Sequence, residues 1–273
     1  MIALSNLAFP QDAPPAFLTG LARAGLAGIE VAPTRLGSWD SLTPAVVRGH
    51  RDALEGHGLR VPSLQALLFG AEGVALLGDA HAFDRMLDHL RRVAGIAAEL
   101  GARVGVFGSP RQRSRGSLSP DAAFDLGTDR LRLLAEACWV EGGFVLGLEP
   151  VPAAYKGDFL TTAAEALAMV RAVDHPGLRL HLDTGCVLLG GGEIGPAVRE
   201  GAPWLAHFHA AEPNLAPFAA PVADHAGAAV ALRDCAYSGW ISIEMLQAED
   251  WMQAVPQAIA QVSRFYGAQA AGA

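Results

Sequence analysis

A short unit repeats along this chain: the end of a helical segment, a glycine, and then a short apolar strand. The unit is visible in HGLRVPSLQ, LGARVGVFG, EGGFVLGLEP, HPGLRLHLD and YSGWISIEM. Glycine directly after a helix is typical of a left-handed C-cap. Strands that alternate with helical patterns at a regular spacing predict βαβ units and a parallel sheet.

Eight strand-like segments fit this repeat, and helical patterns lie between them. The predicted strands are 2–6, 28–32, 60–66, 103–108, 144–149, 178–183, 204–209 and 240–244, and the last helix is predicted at about 250–266. Cap residues before proline at Thr43-Pro44 and Ser119-Pro120 predict helix starts. A capping box is expected from Thr162 to Glu165.

The number of units favours a closed (β/α)₈ TIM barrel, an α/β fold, over an open doubly wound sheet. A chain of 273 residues suits one such barrel, which typically takes about 250. We therefore expect a single barrel domain over 1–266 and a disordered tail over 267–273.

Four ionisable residues end the last four predicted strands: Glu149, Asp183, His209 and Glu244. Side chains alternate between the two faces of a strand, and in each of these strands the opposite face is apolar. The apolar face must meet the helices, so the ionisable face must look into the barrel. All four residues should therefore meet at the C-terminal mouth, where TIM barrels place their chemistry.

Three carboxylates and one imidazole predict a cage for one divalent cation. The oxygen-rich set favours Mn²⁺, accepts Mg²⁺ or Co²⁺, and suits Zn²⁺ less well. A cation there could polarise a carbonyl and acidify the adjacent C–H bond. Glu149 and Glu244 are the candidates for removing that proton and returning it.

The strand-end motifs LEP, LD, HFH and SIEM resemble those of the sugar phosphate isomerase/epimerase superfamily of xylose isomerase-like TIM barrels, which includes tagatose and psicose 3-epimerases. The resemblance covers nearly the whole chain. It implies that Glu149, Asp183, His209 and Glu244 bind the metal and that the two glutamates act as the acid/base pair. The implied activity is isomerisation or epimerisation of a sugar or keto-sugar derivative.

The sequence departs from this family at three expected substrate contacts. Cys186 stands where members often carry histidine. Tyr155 and Leu215 lie near the places where ketose epimerases tend to have a glutamate and an arginine. The resemblance therefore predicts the metal site more strongly than it predicts the substrate.

Other residues are candidates for substrate contact. In the loop GSPRQRSRG, Arg111 could hold an anionic substrate group; a solvated loop or a contact between subunits is the alternative. Glu30 and Gln65 end the second and third predicted strands and could face the pocket or support a ligand. Tyr155 and Cys186 could also reach the pocket, although packing is favoured for the cysteine.

Three polar residues have predictions tied to local structure. His181 and His207 lie one inward layer below the cage and are expected to support its ligands. Asp224, which precedes His225, is expected to be a helix N-cap, and a second metal ligand is the alternative.

Three other functions are alternatives for a barrel with these residues at its mouth. A dehydratase or lyase acting on a keto-sugar or keto-inositol would begin with the same proton abstraction. An apurinic endonuclease-like phosphodiesterase fits poorly, because Glu30 and Gln65 stand where such enzymes add histidines. A non-catalytic sugar-binding barrel is disfavoured, because buried carboxylates without a cation would repel one another.

The composition of the chain indicates which binding partners and which cellular compartment to expect. The formal net charge of −8 argues against nucleic acid. An odd, sparse set of three cysteines suits a reducing cytoplasm. Neither a signal peptide nor an apolar stretch of about 18 residues is apparent. We expect a small sugar-like substrate and no membrane partner; a homo-oligomer is possible.

Overall fold

A computed structural model describes residues 1–267 of the chain. Eight parallel strands form a nearly closed barrel in this part of the chain. They are β1 Ile2–Ser5, β2 Gly28–Glu30, β3 Ser63–Leu64, β4 Val104–Phe107, β5 Val145–Leu148, β6 Leu178–Asp183, β7 Leu205–Ala211 and β8 Ile241–Glu244. The strand order is β2-β1-β8-β7-β6-β5-β4-β3.

The barrel closes between β2 and β3. Isolated parallel bridges join Gly28 to Arg60 and Val31 to Leu64. The predicted (β/α)₈ barrel is therefore confirmed, and the open sheet is excluded. The third strand is much shorter than the predicted 60–66, and it directly follows Pro62, which has no backbone N–H to donate.

Helices connect the strands on the outside. Within residues 1–267 they are α1 Pro15–Arg23, α2 Pro44–Gly56, α3 Ala80–Leu100, α4 Pro120–Val140, α5 Ala163–Val173, α6 Thr184–Leu189, α7 Ile194–Gly201, α8 His225–Asp234 and α9 Trp251–Tyr266. Thr43 and Ser119 accept hydrogen bonds as N-caps of α2 and α4. The capping box between Thr162 and Glu165 is formed.

The alternating strand pattern separates an apolar layer from a polar barrel interior. Leu148, Leu182, Phe208 and Ile243 are fully buried in the apolar core. The interior has room for imidazole rings partly because β5 carries Gly147. A Cβ added there would lie 3.2 Å from the Cβ of His181.

No helix among residues 1–267 is both long and apolar enough to cross a bilayer. The predicted disordered tail over 267–273 lies outside the described residues, apart from Gly267.

Candidate metal centre

The four predicted cage residues converge at the C-terminal ends of β5 to β8. Glu149, Asp183, His209 and Glu244 each offer one ligand atom, and these atoms all lie within 4.8 Å of one another. The His209 Nδ1 atom is 3.1 Å from Glu244 Oε2 and 3.7 Å from Asp183 Oδ2. Ligands at about 2.1 Å from one ion lie about 3 Å apart when adjacent and about 4.2 Å apart when opposite. The spacing therefore fits a single divalent cation.

Asp183 has one oxygen engaged and one left over. Its Oδ1 accepts a hydrogen bond from the backbone N–H of Cys186 at 2.6 Å, which caps α6. Its Oδ2 is buried and has no hydrogen-bond partner among residues 1–267. A buried carboxylate oxygen without a donor is costly unless a cation binds it. The cap holds the side chain in place and leaves Oδ2 facing the cage.

The cage carboxylates repel one another when no cation is present. Burial raises the pKa of Glu149 well above its usual value, and the charges of Asp183 and Glu244 raise it further. Burial also raises the pKa of Glu244, against the opposing effect of His209. A divalent cation would favour the charged form of all these groups. Both the donor set and its electrostatics therefore fit a bound metal.

A fourth carboxylate, that of Glu30, lies beneath the cage and is close to two imidazoles. Its Oε1 is 2.7 Å from His209 Nε2, and its Oε2 is 2.6 Å from His207 Nε2. Ser63 Oγ donates a further hydrogen bond to Oε2 at 2.5 Å. Burial alone would raise the pKa of Glu30, but His209 and His207 lower it well below its usual value.

This pairing sets the orientation of His209. Its Nε2 faces Glu30 and its Nδ1 faces Asp183 and Glu244. Burial lowers the pKa of His209, but Glu30 and Glu244 outweigh it and hold the pKa well above its usual value. A proton retained on Nε2 by Glu30 leaves Nδ1 as the atom that can bind a metal.

His181 and His207 lie below the cage, as the strand parity predicts. The His181 ring centroid is 4.3 Å from that of His209 and 5.4 Å from that of His207. Burial lowers the pKa of both lower imidazoles, against the effect of the Glu30 charge. Both rings pack under the cage.

Gln65 and Glu30 both contact cage residues. The Gln65 side chain is buried, and its Nε2 donates a 2.6 Å hydrogen bond to Glu244 Oε1. Glu30 is fully buried. The structure therefore places these two residues as supports of Glu244 and His209. A direct substrate contact by either one stays a prediction.

A cavity of about 360 Å³ opens above the cage. Glu149 and Glu244 border it together with Tyr155 and Cys186. The Tyr155 Oη atom accepts the backbone N–H of Asn214 at 2.5 Å, and burial raises the pKa of this phenol to about 12. Both predicted acid/base residues thus face the same open space.

Two arginines of the loop after β4 have different environments. The Arg111 side chain is exposed and does not line this cavity, whereas Arg113 is only 1% exposed. Burial lowers the pKa of Arg113 to about 10, against the effect of the Glu149 charge. Nothing in the run GSPRQRSRG indicated which arginine turns inward.

Asp224 and His225 are engaged outside the cage. Asp224 caps α8 by accepting the backbone N–H of Gly227 at 2.8 Å, as predicted. His225 Nε2 lies 2.6 Å from Glu212 Oε1, and its Nδ1 lies 2.9 Å from Tyr266 Oη. The alternative reading of Asp224 and His225 as a second metal site finds no support in these contacts.

The fold and the ring of ligands define a TIM barrel with a candidate metal centre at its C-terminal mouth. A family model of xylose isomerase-like TIM barrels matches residues 18–263. The chain therefore belongs to that family.

Solved structures with the same fold include several sugar epimerases. A D-psicose 3-epimerase has a TM-score of 0.81 at 18% identity, covering 97% of this chain and 99% of that one. The 3-keto-D-glucoside 4-epimerase YcjR from E. coli has a TM-score of 0.78 at 20% identity, covering 96% and 98%.

A probable 3-DHS dehydratase, AsbF from Bacillus anthracis, has a TM-score of 0.75 at 15% identity, covering 96% of this chain and 98% of that one. No curated protein sequence matches the chain. At these identities the structural likeness shows the fold alone.

Proposed function

We propose that this protein is a metal-dependent isomerase or epimerase that moves a proton at the carbon next to a carbonyl in a sugar-like keto compound. One observation carries the proposal. Glu149 and Glu244 border one cavity, and both belong to a four-residue cage suited to a divalent cation. The named activities of the two epimerases with this fold agree with it.

The proposed chemistry divides the work between the two glutamates. A divalent cation, with Mn²⁺ favoured by the ligand set, would polarise the substrate carbonyl and stabilise negative charge on its oxygen. Glu149 removes the proton from one face of the adjacent carbon, and Glu244 delivers a proton to the other face. Gln65 holds Glu244 Oε1 in place by its 2.6 Å hydrogen bond.

Elimination of water is the competing outcome, because it starts from the same proton abstraction. The probable dehydratase among the structures with this fold keeps that alternative open. Deuterium entering the substrate from heavy water without loss of water supports the isomerase. Loss of water from every turned-over substrate would instead support the dehydratase or lyase.

The proposal is tested with Mn²⁺-loaded protein and a panel of keto-sugars in heavy water, followed by mass spectrometry. We expect exchange that falls at least about a hundredfold in Glu149→Gln and in Glu244→Gln. Glu249→Gln is the matched control, because Glu249 is exposed and follows the same strand, β8. Exchange that survives in the Glu149→Gln and Glu244→Gln variants would contradict the assignment.

We infer a cytoplasmic location from the cysteines. Cys138, Cys186 and Cys235 are all unpaired, which is typical of a reducing compartment. Labelling of the intact protein in cell fractions tests this inference.

A further inference from the structure

The cavity above the cage is lined by both charged and apolar residues. Glu149 and Glu244 provide the charged groups. Four other lining residues follow β5, β6, β7 and β8, one after each strand, and we call them the apolar wall: Val151, Cys186, Leu215 and Leu246. Four successive barrel connections thus present hydrocarbon or thiol groups to whatever binds beside the cage.

The thiol in this wall is buried, because Cys186 is only 6% exposed. A thiol is a weak hydrogen-bond donor. Leu246, by contrast, is 52% exposed. A leucine left open at a cavity mouth gains free energy when an apolar group of a ligand covers it.

The backbone that carries Leu215 is unusual. Leu215 has a φ of 54°, and Asn214 before it has a φ of 61°. Leucine rarely adopts this left-handed conformation, and such residues cluster at functional sites. The carbonyl of Leu215 accepts the backbone N–H of Leu246 at 3.0 Å. The two leucines are therefore held side by side by their own loops.

The lining of the cavity carries no cationic side chain in the described part of the chain. Arg111 lies outside on the exposed loop, and Arg113 is buried among backbone carbonyls. Uncharged polar groups come from Ser109, Tyr155 and Asn214. Apart from a cation bound in the cage, a phosphate or carboxylate would thus find no positive charge in the lining to offset its desolvation cost.

We propose that the substrate is an uncharged hydroxyketone whose portion beyond its metal-chelating oxygens is alkyl or deoxygenated, and that the apolar wall selects it. This rests on the proposed function, which supplies the cation and the proton transfer. Leu215 and Leu246 are the specificity-determining residues. The anionic substrate group expected from the arginine loop has no place in this assignment.

Three ketones with the same head group test the proposal. They are 1,3-dihydroxy-2-hexanone, a 2-ketohexose and that ketohexose 6-phosphate, offered to Mn²⁺-loaded protein in heavy water. Binding is followed in parallel by the Mn²⁺-induced relaxation of ligand protons. We expect kcat/KM for exchange to be about tenfold or more higher for the alkyl ketone than for the ketohexose, with the phosphate lowest.

Variants connect this preference to the wall. Leu215→Asn and Leu246→Asn should each shift the ratio of kcat/KM towards the ketohexose by about tenfold. Asparagine also tolerates the left-handed conformation at position 215. Val140→Asn is the control, because Val140 is 66% exposed at the end of α4 and does not line the cavity. Its ratio should equal that of the wild type.

The outcomes separate this inference from the proposed function. Exchange that is fastest with the phosphate or the ketohexose overturns the substrate class and leaves the proton-transfer function standing. If the alkyl ketone binds most tightly but no exchange occurs, selection by the apolar wall is supported and the proposed proton-transfer function is contradicted. Neither binding nor exchange with any of the three contradicts both.

Discussion

Glu30 is fully buried in the barrel and Glu149 is largely buried, yet their environments shift the pKa values of the two carboxyls in opposite directions. Glu30 contacts two imidazoles and a serine hydroxyl, and its pKa is held well below the usual value. Burial and two neighbouring carboxylates raise the pKa of Glu149. The difference separates a carboxylate whose charge is offset by neighbouring imidazoles from one whose charge is offset only when a cation binds.

Glu30, which lies below the cage, thus helps to position one of the cage ligands. Glu30 orients His209 so that Nδ1 faces the cage. The cage carboxylates repel one another until a cation or a proton neutralises them. Such a division is typical of metal centres, in which the partners of the ligands fix geometry while the ligands stay available.

The largest contrast is expected from Glu149→Gln. Loss of the proton-transfer carboxylate should lower kcat for exchange by about a hundredfold to ten-thousandfold. The same change should stabilise the metal-free protein by about 1–2 kcal/mol, because it removes a buried carboxylate that faces like charges. Urea unfolding in the presence of a chelator checks the second effect. A metal-free Glu149→Gln variant less stable than the wild type would show that the Glu149 carboxylate is not destabilised by its neighbours.

Glu30→Gln should act in the opposite sense on the metal-free protein. Its charge is paired with imidazole, and glutamine offers one neutral amide oxygen in place of two carboxylate oxygens, so the variant should lower the free energy of unfolding by about 2–4 kcal/mol. Mn²⁺ affinity should fall about 10- to 100-fold, because His209 loses its orienting partner. Calorimetric titration with Mn²⁺ measures the second effect. An unchanged affinity for Mn²⁺ would contradict the role of Glu30 in orienting His209.

The pH dependence of stability should also differ between the two sites. The pKa of Glu149 is raised in the folded state above the usual glutamate value of 4.5. Its stabilising contribution to the free energy of unfolding is therefore fully present below pH 4.5 and is lost as the pH rises through the folded-state pKa. The pKa of Glu30 is lowered in the folded state below the usual value of 4.5. Its stabilising contribution to the free energy of unfolding is therefore fully present above pH 4.5 and is lost as the pH falls through the folded-state pKa.

Unfolding of the metal-free protein from pH 4 to pH 8 tests these signs. Relative to the wild type, Glu149→Gln should become more stable as the pH increases above about 4.5. Mn²⁺ should reverse the wild-type trend, since the cation competes with protons for the same oxygens. Identical pH profiles for wild type and Glu149→Gln would show that the repulsion is absent.

The smallest effect is expected from Gly108→Ala. A Cβ at this position would overlap Glu149 Oε2, so the carboxylate must shift from its present position in the cage. We expect Mn²⁺ affinity to fall by about threefold to tenfold with little change in unfolding free energy. Gly95→Ala on α3 is the control, because nothing lies within 4 Å of its added Cβ. Equal affinities for both variants would contradict this prediction.

The barrel and the cage were predictable because they depend on periodicity. Strand parity placed Asp183 and His209 on the inner face, and the parallel order brought their ends together. The same rule set His181 and His207 one layer below. These inferences need only the alternation of side chains along a strand.

The pocket was less predictable because its residues lie on irregular loops. Leu215 and Ser109 have positive φ values that their residue types do not favour. Arg113 turns inward from a single 3₁₀ turn, Arg111–Arg113, while Arg111 stays exposed. Local sequence carries little information about such turns, and only the packed loops decide which side chain enters the cavity.

Titration of the metal-free protein with Mn²⁺, with Asp183→Asn and Glu249→Gln as paired variants, tests the cage most directly. We expect one Mn²⁺ per chain in the wild type and in Glu249→Gln, and at least a roughly hundredfold weaker affinity in Asp183→Asn. Binding that Asp183→Asn leaves unchanged, or no binding by the wild type, would contradict it.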